Sequence, residues 1–233
     1  MVVSKMKVLS IIIPAYNEEK TISKILKRLN KVDLKDIKKE IVVVDDGSTD
    51  RTYEILEGFG VMLIKHEKNL GKGAAIRSGI KNSSGDMILI QDADLEYSPE
   101  EIPSLVNEIL NGEDVVYGSR FKGSIRNMSF FNYLANQFLS FTTRILFNTP
   151  ISDIETGYKI FKRNVIDKID LDSKGFEIEA ELTTKILKKK YRIKEVPISY
   201  NGRNKKEKKI KWKDGIRTLF CLLKHRGFDK FGL

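Results

Sequence analysis

The chain has 233 residues, 41% of them hydrophobic, which is enough to bury a real core and excludes a disordered polymer. Its one cysteine, Cys221, excludes an internal disulfide, and the lack of any Cys/His cluster argues against a structural zinc site. The net charge of +10 is uneven: from Lys185 onward there are 17 Lys+Arg against 4 Asp+Glu, while the rest is slightly acidic, so charge alone leaves open nucleic acid, an anionic membrane or a solvated face.

In chain order, Lys7 to Ile13 is an apolar β-rich run stopped by Pro14-Ala15-Tyr16-Asn17-Glu18. Ile22, Ile25, Leu26 and Leu29 then recur at amphipathic-helix spacing. A second strand, Glu40 to Val44, ends in Asp45-Asp46-Gly47, and Ser48, Thr49 or Asp50 can cap the next helix. Val61 to Ile64 is a third strand. Asn69 to Gly79 opens a helix with small residues toward the sheet. Gly71-Lys72-Gly73 is not a dinucleotide fingerprint, because Ile76 stands where the third glycine belongs, nor a Walker loop. It is read as close packing near a ligand.

The most informative stretch is Asp86 to Tyr97. Met87 to Ile90 is a short apolar strand buried on both faces, and Asp92, Asp94 and Glu96 follow at its carboxyl end on alternating positions. Such a cluster repels itself unless neutralised, and carboxylate oxygens suit Mg²⁺ or Mn²⁺. The alternative is a solvated acidic turn capping the helix near Ser98-Pro99-Glu100. Alternating strands and helices imply a mostly parallel sheet, whose ligands bind beyond the strands' carboxyl ends. Pro14 to Glu18, Asp45-Asp46 and Asp92 to Glu96 all fall on that edge, which favours a metal and nucleotide site.

Asp114 to Gly118 is the next strand, closing on Ser119-Arg120. Met128 to Phe147 is a helix with Phe130, Leu134, Phe138, Phe141 and Ile145 on one stripe, suited to a two-sided core position or to a membrane interface. Ser152 to Phe161 reads as turn and strand, Glu179 to Lys190 as helix, Tyr191 to Tyr200 as a strand broken at Pro197, and Asn201 to Lys211 as a basic loop. A last amphipathic helix spans about Trp212 to His225. No apolar run reaches the roughly 18 residues of a membrane span, and Val8 to Ile13 is too short for a signal-peptide core. The expected location is cytoplasmic, without a transmembrane helix.

SIIIPAYNEE, IVVVDDGSTDRT, NLGKGAAIRSG, QDADLEYSPEE, YGSRF, DIETGYKIF and EVPISYNGR, in this order, resemble the family 2 inverting glycosyltransferases of GT-A fold, in the dolichyl-phosphate mannose and glucose synthase branch. The resemblance spans nearly the whole chain. It implies one domain, with a nucleotide-sugar half (1–97), an acceptor half (98–200) and a basic, membrane-facing segment (201–233). It places Pro14, Tyr16, Glu18, Asp45, Asp46, Lys72 and Asp92 on the nucleotide sugar, and Asp92, Asp94 and Glu96 on Mg²⁺ or Mn²⁺. Asp94, Arg120 and Arg126 carry catalysis, and Arg120, Arg126, Arg203, Lys208 and Lys209 receive the acceptor phosphate. Glu96 departs from a frequent glutamine, and the basic loop is one residue short.

The implied reaction moves a hexose from GDP-mannose, UDP-glucose or a UDP-HexNAc to a polyprenyl phosphate, on the cytoplasmic face of an anionic membrane. Glu155, Glu177 and Glu179 are not needed as a base, because a phosphate acceptor arrives deprotonated. The competing readings are transfer to another acceptor, a sugar nucleotidyltransferase and a nucleic-acid-binding module. No glycine-rich triphosphate loop near the N-terminus supports the second, and no recognition motif the third.

Overall fold

In the computed structural model, residues 7–203 and 212–227 are described. Chain order is β1 (Lys7–Ala15), α1 (Ile22–Lys31), β2 (Ile37–Asp45), α2 (Thr52–Glu57), β3 (Met62–Lys65), α3 (Lys72–Asn82), β4 (Met87–Ile90), a 3₁₀ turn (Pro99–Glu101), α4 (Ile102–Leu110), β5 (Val115–Arg126), α5 (Phe130–Phe147), β6 (Lys159–Lys162), α6 (Arg163–Ile166), α7 (Ile178–Lys188), β7 (Lys194–Asn201) and α8 (Trp212–Arg226). The strands form one seven-stranded sheet in the order β3-β2-β1-β4-β6-β5-β7. Pairing is parallel except where β6 meets β4 and β5.

The period-2 alternation of the strands divides the core between the two faces of the sheet. Leu9, Ile11 and Ile13 of β1 and Leu89 of β4 pack with Ile25, Leu26 and Leu29 of α1 and Leu105 and Val106 of α4. Ile12, Ile88 and Ile90 face the other way, onto Ile76 of α3 and Ile178, Leu182 and Ile186 of α7. All four residues of β4 are buried. At about 1.5–3 kcal/mol for each large apolar side chain removed from water, this short strand is a main anchor of the acidic segment that follows it. At Gly79 the approach of α3 to β1 is so close that a Cβ would overlap Ile12 Cγ2, which explains the small residues on that helix.

Several expectations need correction. β5 runs on past Gly118 to Arg126, and β7 is not broken at Pro197. β7 lies at the sheet's edge, where a missing N–H is tolerated, and the register shift in β5 between Ser119 and Ser124 lies opposite Pro197 to Ser199. The helix after the acidic stretch starts as a 3₁₀ turn, and the single turn α6 had no signal in the sequence. The close packing expected at Gly71 and Gly73 is present, against the chain's own backbone: Gly73 N–H donates to the Lys174 carbonyl at 2.7 Å, and a Cβ at either glycine would collide with the backbone at Ser173 or Lys174.

The apolar stripe of α5 faces outward. Phe131 is 81% and Phe130 68% exposed, with Leu134, Phe138, Phe141 and Ile145 exposed beside them, whereas its buried residues are Leu139, Ser140 and Thr143. α8 packs on α5 and contributes exposed Ile216 and Phe220. No helix among the described residues is long and apolar enough to cross a membrane.

Candidate active site

The strand register brings the predicted polar groups to one edge. Ala15 at the end of β1 is paired with Asp45 at the end of β2, and Gln91, just past β4, donates its N–H to the Ile12 carbonyl at 2.9 Å. Pro14, Tyr16 and Glu18, the Asp45-Asp46 pair and Asp92 to Glu96 therefore share the carboxyl edge, where the strand order reverses around β1.

The two adjacent aspartates have different tasks. Asp46 accepts the Leu70 and Gly71 N–H groups at 2.9 and 2.8 Å and meets His66 Nδ1 at 2.6 Å, while His66 Nε2 lies 2.9 Å from Ser78 Oγ. Its carboxylate is consumed in holding the loop before α3. Asp45 is fully buried, and neither of its carboxylate oxygens has a hydrogen-bond partner. A buried bare carboxylate is costly unless a ligand completes it.

Beyond β4 the acids are neutralised by the chain itself. Lys72 Nζ lies 2.8 Å from Asp92 Oδ1 and 2.9 Å from Glu179 Oε1, and Lys159 joins the other oxygen of Glu179. Burial opposes the Lys72 charge, but Asp92 and Glu179 outweigh it and hold its pKa well above the usual lysine value. A Cβ at Gly157 would collide with the Asp92 carboxylate, so a larger residue there would displace it. Arg203 supplies the second cation, with Nη2 2.8 Å from Asp94 Oδ2 and Nη1 2.9 Å from Glu18 Oε1. Even so, burial together with the charges of Asp92 and Glu96 pushes the Asp94 carboxyl up to about 7. Glu96 is engaged through both oxygens, by the Tyr200 hydroxyl at 2.8 Å and the Arg203 N–H at 2.8 Å. The three acids expected to converge on a metal are thus engaged by the chain itself, Asp92 by Lys72, Asp94 by Arg203, and Glu96 by Tyr200 and the Arg203 N–H. Among the described residues no group of three Asp, Glu, His or Cys side chains is arranged to hold an ion.

The arginines also differ. Arg120, expected at the acceptor phosphate, is 5% exposed and forms a two-pronged pair with Asp153, Nε to Oδ2 and Nη2 to Oδ1, both 2.7 Å. Its guanidinium lies over the Tyr200 ring at 5.2 Å. Arg126 is exposed at the end of β5 and makes no ion pair among the described residues; its carbonyl accepts the Gly202 N–H at 2.9 Å, which brings it beside Arg203. Lys208 and Lys209 lie outside the described residues. Glu155 Oε1 is buried without a partner, and burial, reinforced by Glu179, pushes its carboxyl up to about 7. The sequence reading missed Asp153, His66, Lys159 and Tyr200 as site-building residues, and gave Glu179 no part in the charge network. Asp153 was the most accessible of them, since a buried arginine requires a carboxylate and Asp153 opens the DIETGYKIF segment.

The model of the glycosyl transferase family 2 matches residues 10–170. The chain belongs to this family. It is 35% identical over 230 residues to a dolichol-phosphate mannosyltransferase of Pyrococcus furiosus, covering 94% of this chain and 64% of that protein, so it spans less than two thirds of that relative's length. A UDP-N-acetylglucosamine–dolichyl-phosphate N-acetylglucosaminyltransferase of Methanococcus voltae is 31% identical, covering 82% of this chain and 85% of that protein. Among solved structures, glucosyl-3-phosphoglycerate synthase from Mycobacterium tuberculosis, in complex with Mn²⁺ and UDP-glucose, matches with a TM-score of 0.75 at 21% identity, over 95% of this chain and 79% of that one. The family 2 chain accordingly has the GT-A fold, a mostly parallel sheet flanked by helices.

Proposed function

We propose that the protein transfers a hexose, with inversion, from a nucleotide sugar to a polyprenyl phosphate at a membrane surface. The observation that carries the acceptor assignment is the outward aromatic face of α5, next to the site through the Arg120–Asn136 contact at 3.4 Å and the Phe121–Tyr133 ring pair. A soluble enzyme gains nothing from exposing such a patch, whereas a lipid acceptor has to be met in the bilayer. The lipid-phosphate acceptors in the relatives' names support the same reading.

Residues 1–97 form the donor half in this reading. Asp45, with two unpaired oxygens, accepts N–H groups of the base, flanked by Pro14 and Tyr16. The hard-oxygen donors fit a divalent cation, and Asp94 together with the Asp92 oxygen that Lys72 leaves unpaired would hold Mg²⁺ or Mn²⁺. When bound, such an ion offsets the charge of the departing nucleoside diphosphate. Arg126 of the acceptor half, 98–200, joined by Arg203 from the segment that follows, orients the lipid phosphate through paired guanidinium donors. With its second pKa near 6, that phosphate is largely a dianion at neutral pH and attacks the anomeric carbon without help from a protein base. Residues 201–233, which include Lys208 and Lys209, carry an excess of basic charge that attracts anionic lipid, and in this reading the protein is peripheral on the cytoplasmic side of the membrane.

The test is transfer from UDP- and GDP-hexoses with Mn²⁺ to a short polyprenyl phosphate, followed by NMR of the anomeric configuration. Inverted polyprenyl-phosphate sugar is expected, and Asp94→Asn should abolish its formation. Transfer to phosphoglycerate or a free sugar, with none to any polyprenyl phosphate, would overturn the acceptor assignment.

A further inference from the structure

Arg203 sits where an ion on Asp94 would have to act, and the chain takes trouble to seat it there. Three backbone and side-chain links tie the end of β7 across the acidic segment: Asn201 N–H to the Glu96 carbonyl at 2.9 Å, Tyr200 hydroxyl to Glu96 Oε2 at 2.8 Å, and Arg203 N–H to Glu96 Oε1 at 2.8 Å. Tyr97 and Tyr200 are bridged through their backbones and their rings lie 5.5 Å apart. From this anchor the guanidinium reaches Asp94 at 2.8 Å and Glu18 at 2.9 Å, and its Nε stands 3.6 Å from Glu96 Oε1 without a hydrogen bond. Glu96 thus spends its oxygens on holding the strap.

We propose that Glu96 is a positioning residue for Arg203 instead of a metal ligand, and that Arg203 is the site's resident counter-cation, which a divalent ion must displace from Asp94. This rests on the metal-dependent reading above. Arg203 Nη2 holds Asp94 Oδ2 and the Glu96 N–H donates to Asp94 Oδ1 at 3.1 Å, so both oxygens of Asp94 are engaged and a metal ion, which the guanidinium also repels, has to displace one of these partners. Lys72 differs: it is enclosed between Asp92 and Glu179 and stays in place. Asp92 therefore has a permanent cation and Asp94 an exchangeable one. The arrangement limits repulsion in the empty site, and it sets a threshold that metal alone crosses less readily than metal together with a nucleotide diphosphate, whose charge attracts the released guanidinium.

The experiment is Mn²⁺ titration of the whole protein without nucleotide, followed by electron paramagnetic resonance, for wild type, Arg203→Gln, Tyr200→Phe and Asp94→Asn. If Arg203 is seated about nine-tenths of the time, the apparent affinity is reduced roughly tenfold, so Arg203→Gln should bind Mn²⁺ roughly ten times more tightly. Tyr200→Phe keeps every charge and loosens only the Glu96 anchor, so a smaller gain is expected. A further variant, Arg217→Gln, removes one exposed positive charge on α8 and should change nothing, which separates local competition from net charge. Equal or weaker Mn²⁺ binding by both Arg203→Gln and Tyr200→Phe, with binding lost in Asp94→Asn, would overturn the role of Arg203 as a competing counter-cation and leave the metal site standing. Failure of every protein to bind Mn²⁺, with or without UDP or GDP, would overturn the metal reading itself and that role with it.

Discussion

Arg120→Ala tests whether this guanidinium belongs to the acceptor phosphate or to the fold. The substitution deletes two charge-assisted bonds of 2.7 Å and leaves the carboxylate of Asp153, which is fully buried, without its cation. Removing one partner of a buried pair costs about 3–5 kcal/mol, out of a total stability of about 5–15 kcal/mol. The backbone N–H of residue 120 still donates to Asp153 Oδ2 at 3.0 Å, which moves the expected cost toward the lower end of that range. With a urea dependence of about 2–3 kcal/mol per molar, the unfolding midpoint should fall by about 1–1.5 M. Urea unfolding followed by circular dichroism measures it. The double variant Arg120→Met with Asp153→Leu removes both charges and should recover more than half of the loss. A wild-type midpoint in Arg120→Ala, accompanied by a raised KM for the lipid phosphate, would refute the reasoning and return Arg120 to the acceptor.

Other substitutions probe separate links. Burial raises the Glu155 carboxyl from 4.5 to about 7, so between those values the native state keeps a proton that the unfolded chain has lost, and stability falls as pH rises through this window. Glu155→Gln should flatten that slope and be the more stable protein at pH 8, with no advantage at pH 4, as read from thermal melts at the two pH values. Gly79→Ala should cost about 1–3 kcal/mol by overpacking Ile12, whereas Gly60→Ala, which meets open space, should stay within about 0.5 kcal/mol in the same unfolding assay. Asp45→Asn should leave the fold as stable or more so while weakening nucleotide binding by calorimetry, and Asp46→Asn should destabilise, because an amide cannot accept both the Leu70 and Gly71 N–H groups. Phe131→Asp with Phe138→Asp should reduce salt-resistant co-sedimentation with liposomes while the melting temperature stays unchanged.

What could be read from the sequence depended on how local its physical cause was. Met87–Ile90 was placed to the residue because a strand buried on both faces is a continuous apolar run with an abrupt polar end. The periodicity of α5 was equally plain. Its orientation was not, since an apolar stripe looks the same whether a protein core or a bilayer covers it, and the choice rests on Leu139, Ser140 and Thr143 being the buried side. Pro197 misled because its cost depends on whether the strand is central or at an edge, which is decided by β5 and not by the strand's own residues. The partners of the charged groups were the least legible. Arg120 and Asp153 are 33 positions apart and Arg203 and Asp94 109 apart, and nothing local marks either pair.

A common division of labour runs through the site's paired charges. In Asp45-Asp46, the second carboxylate is saturated by backbone donors and His66, and the first is bare. In Asp92 and Asp94, the first is fixed by an enclosed lysine and the second is covered by an arginine 109 positions further along the chain. Of Arg120 and Arg126, the first is locked on Asp153 and the second is exposed. Each pair therefore has one member fixed by the fold and one that is bare, exposed or, in Asp94, covered by a partner that a ligand can displace. A fixed group cannot serve a substrate without breaking its bonds to the fold, so anchoring and ligand binding fall to neighbouring residues of the same type. Charge alone hides this division, because the members of each pair are identical in the sequence and differ only in who neutralises them. That is why loss of stability, and not loss of activity alone, is the measurement that tells the two members of each pair apart.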